Sequence, residues 1–178
     1  MTVIRPADAN ETAEAWRAAL KIGTPVCLIL TRQKLPFIDR TRYAASSNVA
    51  RGAYVLADIR GGDPEVVLMA SGSEVSIILQ AQDTLAQQGI RARAVSVPSM
   101  ELFAKQDQAY RDSVLPPGIK RISIEASQPM SWYKWIGEGG VAIGLDHYGA
   151  SAPYQELYKE FHLTPENVVN TAKSLLGK

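Results

Sequence analysis

Arg32 is the side chain best suited to chemistry, because it stands just past the apolar run Val26-Cys-Leu-Ile-Leu30. An arginine beyond the carboxyl end of a buried strand faces the region where open α/β sheets bind ligands. Its planar fork can meet a phosphate with two parallel hydrogen bonds. A solvated or salt-bridged surface arginine is the competing reading. Ser71-Gly-Ser-Glu74 follows a second apolar run and opens a helical pattern, where backbone amides can hold an anion. Its S-x-x-E spacing fits a capping box better, in which Ser71 and Glu74 satisfy the helix's own free amides. The segment also lacks the glycines of a dinucleotide fingerprint and the Gly-Lys-Ser/Thr ending of a P-loop.

Asp146-His-Tyr148 brings an acid, an imidazole and a phenol together after a strand candidate, so it could line a cleft, although a structural loop is the preferred reading. Glu125, at the end of its own strand candidate, carries the same two readings. His147 and His162 are the only histidines, and neither has a cysteine or second histidine at ligand spacing, which argues against a metal site. Cys27 is the single cysteine, so an internal disulfide and a cysteine-based zinc site are excluded and a reducing, cytoplasmic setting is expected. Trp132, Tyr133 and Trp135 with Lys134 could stack on bases or sugars. With 19 Lys and Arg against 18 Asp and Glu there is no basic field to recruit nucleic acid or an acidic membrane, so packing against the sheet or a subunit interface is expected. No stretch has the length of a membrane span or the pattern of a signal peptide.

The elements that must position these residues follow from periodicity. A hydrophobic content of 46% in 178 residues suits one globular domain, or one domain with an extension. Asp8 is a good N-cap with Glu11 three residues on, and Ala13, Trp16, Ala19 and Leu20 at helical spacing predict an amphipathic helix over 9–21. Val26 to Leu30 reads as a buried strand, and 33–50 as an extended connection between domains. From residue 53 strands alternate with helices. Strands are expected at Tyr54–Leu56, Glu65–Met69, Ala92–Val97, Arg121–Glu125 and Gly140–Gly144. A helix over 74–88 shows Val75, Ile78, Leu79 and Leu85 on one face, and a last helix starts at Thr164 and Pro165. This alternation predicts an α/β fold, an open and mostly parallel sheet with helices on both faces in three layers, preceded by a helix-strand remnant of another domain.

Several short segments, in order, resemble the last third of a transketolase: Arg5-Pro-Ala-Asp8, Leu30-Thr-Arg-Gln33, Arg51-Gly-Ala-Tyr-Val55, Ala70-Ser-Gly-Ser-Glu74, Ala92-Arg-Ala-Val-Ser-Val-Pro-Ser99, Trp132-Tyr-Lys134 and Tyr148-Gly-Ala-Ser-Ala-Pro153. The resemblance spans nearly the whole chain. It implies that residues 1–40 end the middle, pyrimidine-binding domain, that 41–52 form a linker, and that 53–178 are the C-terminal α/β domain. The parent enzyme would be a transferase of the pentose phosphate pathway, moving a two-carbon ketol unit between ketose and aldose phosphates with thiamine diphosphate and a divalent metal, Mg or Ca. The resemblance makes Arg32 the contact to the substrate phosphate. It leaves no catalytic, cofactor-binding or metal-binding residue in this chain, since the family places those upstream.

The chain is therefore expected to be inactive alone and to act as scaffold and dimer interface, with the rest of the subunit, a second subunit and a sugar phosphate as partners. With its domain cut away, the strand Val26–Leu30 is expected to lack a sheet, and the helix over 9–21 most of its packing surface. The alternatives are a free-standing small-ligand or regulatory module using strand ends near Ser71 and Asp146, and a related thiamine-dependent enzyme such as dihydroxyacetone synthase.

Overall fold

Asp8 is extended, with φ −154° and ψ −175°, and its Oδ1 accepts from the Glu11 amide at 2.8 Å, so the first helix begins where capping places it. In the computed structural model, which describes residues 1–59 and 61–178, this helix is α1, Ala9–Ile22. Gly23 ends it in the left-handed region at φ 68°. Strands β1 (Thr2–Ile4) and β2 (Val26–Leu28) flank it and pair in parallel, with Thr2 opposite Val26 and Ile4 opposite Leu28. The expectation that Val26–Leu30 has no sheet is thus corrected. β1, too short to show a period, supplies its partner, and the Ile29 amide extends the pairing to the Ile4 carbonyl at 2.9 Å.

The apolar stripe of α1 lacks a packing surface, as expected, and the helix packs through a different face. Its buried residues are Glu11, Ala15 and Ala18, set against the 3₁₀ turn Ser46–Arg51, whereas Trp16 and Leu20 are 55% and 81% exposed. The reason is the inward turn of Glu11. Its Oε2 accepts from the Ala7 amide at 2.8 Å, and its Oε1 accepts the Tyr54 hydroxyl at 2.5 Å and the Ser96 hydroxyl at 2.8 Å. A helix fixed by that contact approaches on its small alanines and leaves the bulky side chains outside.

Residues 33–50, irregular up to the 3₁₀ turn Ser46–Arg51, are pinned to the rest of the fold. Ile38 is buried, its amide donates to Asp8 Oδ2 at 3.2 Å, and Arg40 donates to the Ala44 carbonyl, the Tyr54 hydroxyl and Asp8 Oδ1, each at 3.0 Å. Gly52, at φ 85°, then lies under the next helical layer. A Cβ there would come 2.2 Å from the Phe103 amide nitrogen and 2.4 Å from the Ser99 carbonyl oxygen, so only glycine fits.

The expected sheet follows. Strands β3 (Tyr54–Ala57), β4 (Val66–Ala70), β5 (Ala92–Ser96), β6 (Lys120–Ile124) and β7 (Val141–Ile143) lie in the order β3-β5-β4-β6-β7. All neighbours are parallel except the edge pair β3 and β5. Central β4 is buried on both faces, as its unbroken apolar run requires. Val66, Leu68 and Ala70 join one core with α2 (Val75–Gln87) and α7 (Pro165–Leu176), while Val67 and Met69 join another with Phe103, Trp132 and Trp135. These two cores lie on the two faces of the sheet, between it and the helices of a three-layer α/β fold. Helices α3 (Met100–Ala104), α4 (Gln108–Val114) and α5 (Tyr133–Ile136) complete the second face. Helix α6, Tyr154–Glu160, has no counterpart in the periodicity because it buries no residue fully.

Burial pushes the Glu11 carboxyl above its ordinary value of 4.5, against the opposing hydrogen bonds from Tyr54, Ala7 and Ser96. The folded state therefore takes up this proton more readily than the unfolded state. Its contribution to stability is full below about 4.5 and is lost as pH rises through the raised folded value. Glu11→Gln is expected to flatten this part of the profile of urea midpoint against pH and to cost about 1–3 kcal/mol at neutral pH, since three donors face the site. An unchanged slope would show that Glu11 does not carry the dependence.

Candidate functional site

The strand order places a reversal at β4, because the chain passes from β4 to β5 on one side and then crosses to β6 on the other. In open α/β sheets the crevice outside the carboxyl ends at such a point is the usual ligand position. Here it is lined by Ser71 after β4 and Glu125 after β6, and the guanidinium of Arg5 lies in it. Arg5 Nη1 donates to the Ser71 carbonyl, Ser71 Oγ and Glu125 Oε1, each at 3.0 Å. It also stands 2.6 Å from Glu74 Oε2, a contact of opposite charges without the alignment of a hydrogen bond.

A second shell closes around the two carboxylates. Trp132 Nε1 donates to Glu125 Oε2 at 2.6 Å, and Ser71 Oγ donates to Glu125 Oε1 at 3.1 Å. Ser73 Oγ donates to Glu74 Oε1 at 2.8 Å, and the Tyr158 hydroxyl from α6 donates to the same oxygen. The Glu74 side chain is wholly inaccessible, and those of Arg5 and Glu125 are 15% and 13% exposed. Burial opposes the charge of Arg5, but Glu74 and Glu125 together outweigh it and hold the guanidinium above its ordinary range. Burial, reinforced by the Glu74 carboxylate, raises the Tyr158 phenol in the same way, so it stays protonated and donates.

The capping-box reading of Ser71 and Glu74 is corrected. Ser71 makes no side-chain cap, a 3₁₀ turn Gly72–Glu74 precedes α2, and both side chains point across the sheet end. Glu125 belongs to the cluster. Arg5 was not among the candidates, although an arginine directly after an apolar triplet is the same signal that singled out Arg32. The triplet Thr2–Ile4 is too short to read as a strand.

The other candidates stay apart from this crevice. Arg32 lies exposed on a bend past β2 and makes no hydrogen bond or ion pair among the described residues. Asp146, His147 and Tyr148 are exposed, with Tyr148 98% so, and His147 Nδ1 meets only the Tyr148 carbonyl at 2.7 Å while its ring packs 5.0 Å from Phe161. They form a surface loop. His162 caps the turn after α6 at φ 56°, and its carbonyl accepts from Asn167 Nδ2 at 2.9 Å. Cys27 is half-buried. Trp132 and Trp135 are buried against the sheet, as expected, and Tyr133 is exposed. Among the described residues no three His, Cys, Asp or Glu side chains gather to hold a metal ion.

Comparison with known proteins places this geometry. Residues 52–164 match the family profile described as transketolase-like TK C-terminal domain, and residues 1–38 match that of the transketolase pyrimidine binding domain. The chain is 44% identical over its full length to the transketolase of Geobacillus stearothermophilus, covering 27% of that protein. It is 51% identical over 98% of its length to a plasmid transketolase of Cupriavidus necator, covering 26% of it. The chain thus spans about a quarter of the curated relatives it matches. The structure of transketolase from Leishmania mexicana superposes with a TM-score of 0.90 at 40% identity, over 99% of this chain and 25% of that one. A split-gene transketolase, described as an inactive beta4 tetramer, shares the fold at 23% identity and a TM-score of 0.75, over 99% of this chain and 58% of that one.

Removing Glu74 leaves Arg5 paired with Glu125 but strands the Ser73 and Tyr158 hydroxyls that it accepts from, so Glu74→Ala is expected to cost about 2–3 kcal/mol in urea unfolding. Glu14→Ala, which breaks the exposed pair with Arg17, is expected to cost less than about 1 kcal/mol. Equal losses from the two would show that the crevice is not held by charge.

Proposed function

This chain belongs to the transketolase family, and on that premise we propose that it serves the transfer of a two-carbon ketol unit between a ketose phosphate and an aldose phosphate. Residues 1–40 close the pyrimidine-binding domain, 41–52 link it to the next, and 53–178 form the C-terminal scaffold. The observation that carries the reading is Arg32, which extends from the bend after β2 with no partner among the described residues. An exposed guanidinium two residues from Lys34 offers a bidentate phosphate contact in a locally cationic setting.

Arg32 acts in this reading by binding and orienting. It anchors the phosphate at the end of the sugar remote from the ketol carbonyl, and so positions that carbonyl without touching it. Thiamine diphosphate and its divalent metal, Mg or Ca, supply carbanion stabilisation when bound. Among the described residues no three His, Cys, Asp or Glu side chains gather that could hold such a metal. Their ligands belong to the three-quarters of the relatives that this chain does not match, and no step is assigned to them here. The same reading gives the working enzyme a homodimer, a sugar phosphate substrate, a cytoplasmic location and a place in the pentose phosphate pathway. Among the described residues no helix is long and apolar enough to cross a membrane.

The purified chain is expected to show no ketol transfer and no change in melting temperature with added thiamine diphosphate. Detectable transfer by the chain alone would overturn this part of the reading. When the chain is joined to the upstream portion of a close relative, Arg32→Ala is expected to raise KM for a ketose phosphate about 10–100-fold, the loss of a charge-assisted contact of about 1.5–3 kcal/mol. Its kcat should change little, and an unphosphorylated ketose should be used as well as before. An equal loss on both substrates would remove the phosphate role.

A further inference from the structure

We propose that the crevice at the carboxyl ends of β4 and β6 is a guanidinium-binding site that the chain fills with its own Arg5. The sheet's ligand position thereby serves as a clamp on residues 1–30, and a free metabolite is kept out. This does not depend on the role of Arg32.

Four observations carry it. Every group that meets the guanidinium is an acceptor: the Ser71 carbonyl, Ser71 Oγ, Glu125 Oε1 and Glu74 Oε2, with Ser73 Oγ at 3.5 Å from Nη2. Two carboxylates face one cation, so the crevice carries excess negative charge, which opposes the phosphate or carboxylate that such crevices commonly hold. The floor is shaped to the ligand. Gly72 sits at φ 57°, and a Cβ there would come 2.8 Å from both Cζ and Nε of Arg5, so the guanidinium plane occupies the space of a missing side chain. The backbone is held as well, since the Arg5 amide donates to the Pro98 carbonyl at 2.8 Å and the Gly72 amide donates to the Arg5 carbonyl at 3.1 Å. What remains of the crevice is a cavity of about 230 Å³ beside Arg5, Ser71, Glu101 and Glu125.

The clamp reaches from the sheet to the first strand. Arg5 follows β1 directly, and β1 is the partner of β2. Releasing the guanidinium would therefore loosen the whole of the two-stranded sheet, while the five-stranded sheet keeps its own cores. Arg5→Ala should leave an acidic vacancy that free guanidinium can fill.

The test is thermal melting of the whole chain. Arg5→Ala is expected to melt about 10 °C below the parent, as loss of a buried charge partner implies for a chain of this size. About 50 mM guanidinium chloride, far below the molar concentrations that unfold proteins, is expected to recover several degrees in Arg5→Ala and none in the parent. Equal concentrations of sodium chloride or urea should not do so. Adding Glu74→Gln and Glu125→Gln to Arg5→Ala should abolish the recovery. If Arg5→Ala does not fold, Arg5→Gln takes its place, since it keeps part of the stem but carries no cation, and guanidinium should still raise its melting temperature. Absence of a guanidinium-specific rise in the variant that folds, or an equal rise in the parent, would overturn the proposal.

Discussion

A guanidinium taken out of water must be met by acceptors and opposite charge, and around Arg5 that requirement organises the molecule. The carboxyl ends of β4 and β6, the 3₁₀ turn before α2, and Tyr158 on α6 all turn polar groups toward one point. Desolvating one cation and two carboxylates is costly, so the arrangement is tolerable only because hydroxyls and the Trp132 indole satisfy the oxygens that Arg5 does not reach. Taking Arg5 away leaves two carboxylates facing each other without a cation, and taking any other member away leaves a buried hydrogen-bonding group unmet.

A second buried carboxylate repeats the logic at the other side of the same seam. Glu11 leaves the surface of α1 to accept from Tyr54 on β3 and Ser96 on β5, with Arg40 closing the group through Asp8 and Tyr54. The first forty residues and the five-stranded sheet therefore meet through directed polar contacts, where two apolar faces sliding on each other would fix no register. Such contacts specify orientation, and so fix where the bend after β2 holds Arg32 relative to the sheet. Trp16 and Leu20 remain outside this seam, so α1 presents its bulkier face away from the domain it packs on.

Much of the fold was legible in the sequence because it is written in local patterns. Val75, Ile78, Leu79 and Leu85 fall on the buried face of α2, Thr164 and Pro165 open α7, and the unbroken run at β4 is buried on both sides. The candidate site was legible only in pieces. Glu125 and Ser71 stood out by position at strand ends, but the spacing of Ser71 and Glu74 pointed to a helix cap. Nothing local distinguishes a glutamate that caps from one that turns across the sheet to an arginine. The face on which α1 does pack was illegible for a related reason, since amphipathic spacing ranks Trp16 and Leu20 above two alanines and gives a buried glutamate no weight.

By itself the sequence determined the alternation of strands and helices, the cap at Asp8, the single-cysteine and near-neutral chemistry, and, through ordered short segments, the family. The tertiary structure alone decided which charges meet. Arg5 finds Ser71 66 residues on and Glu125 120 residues on, and Glu11 finds Ser96 at a separation of 85. Periodicity reports which face of an element is apolar within a few residues. It carries no information about which distant polar group will supply the acceptor that a buried charge requires, and that pairing is fixed only when the strand order brings the ends of β4 and β6 together.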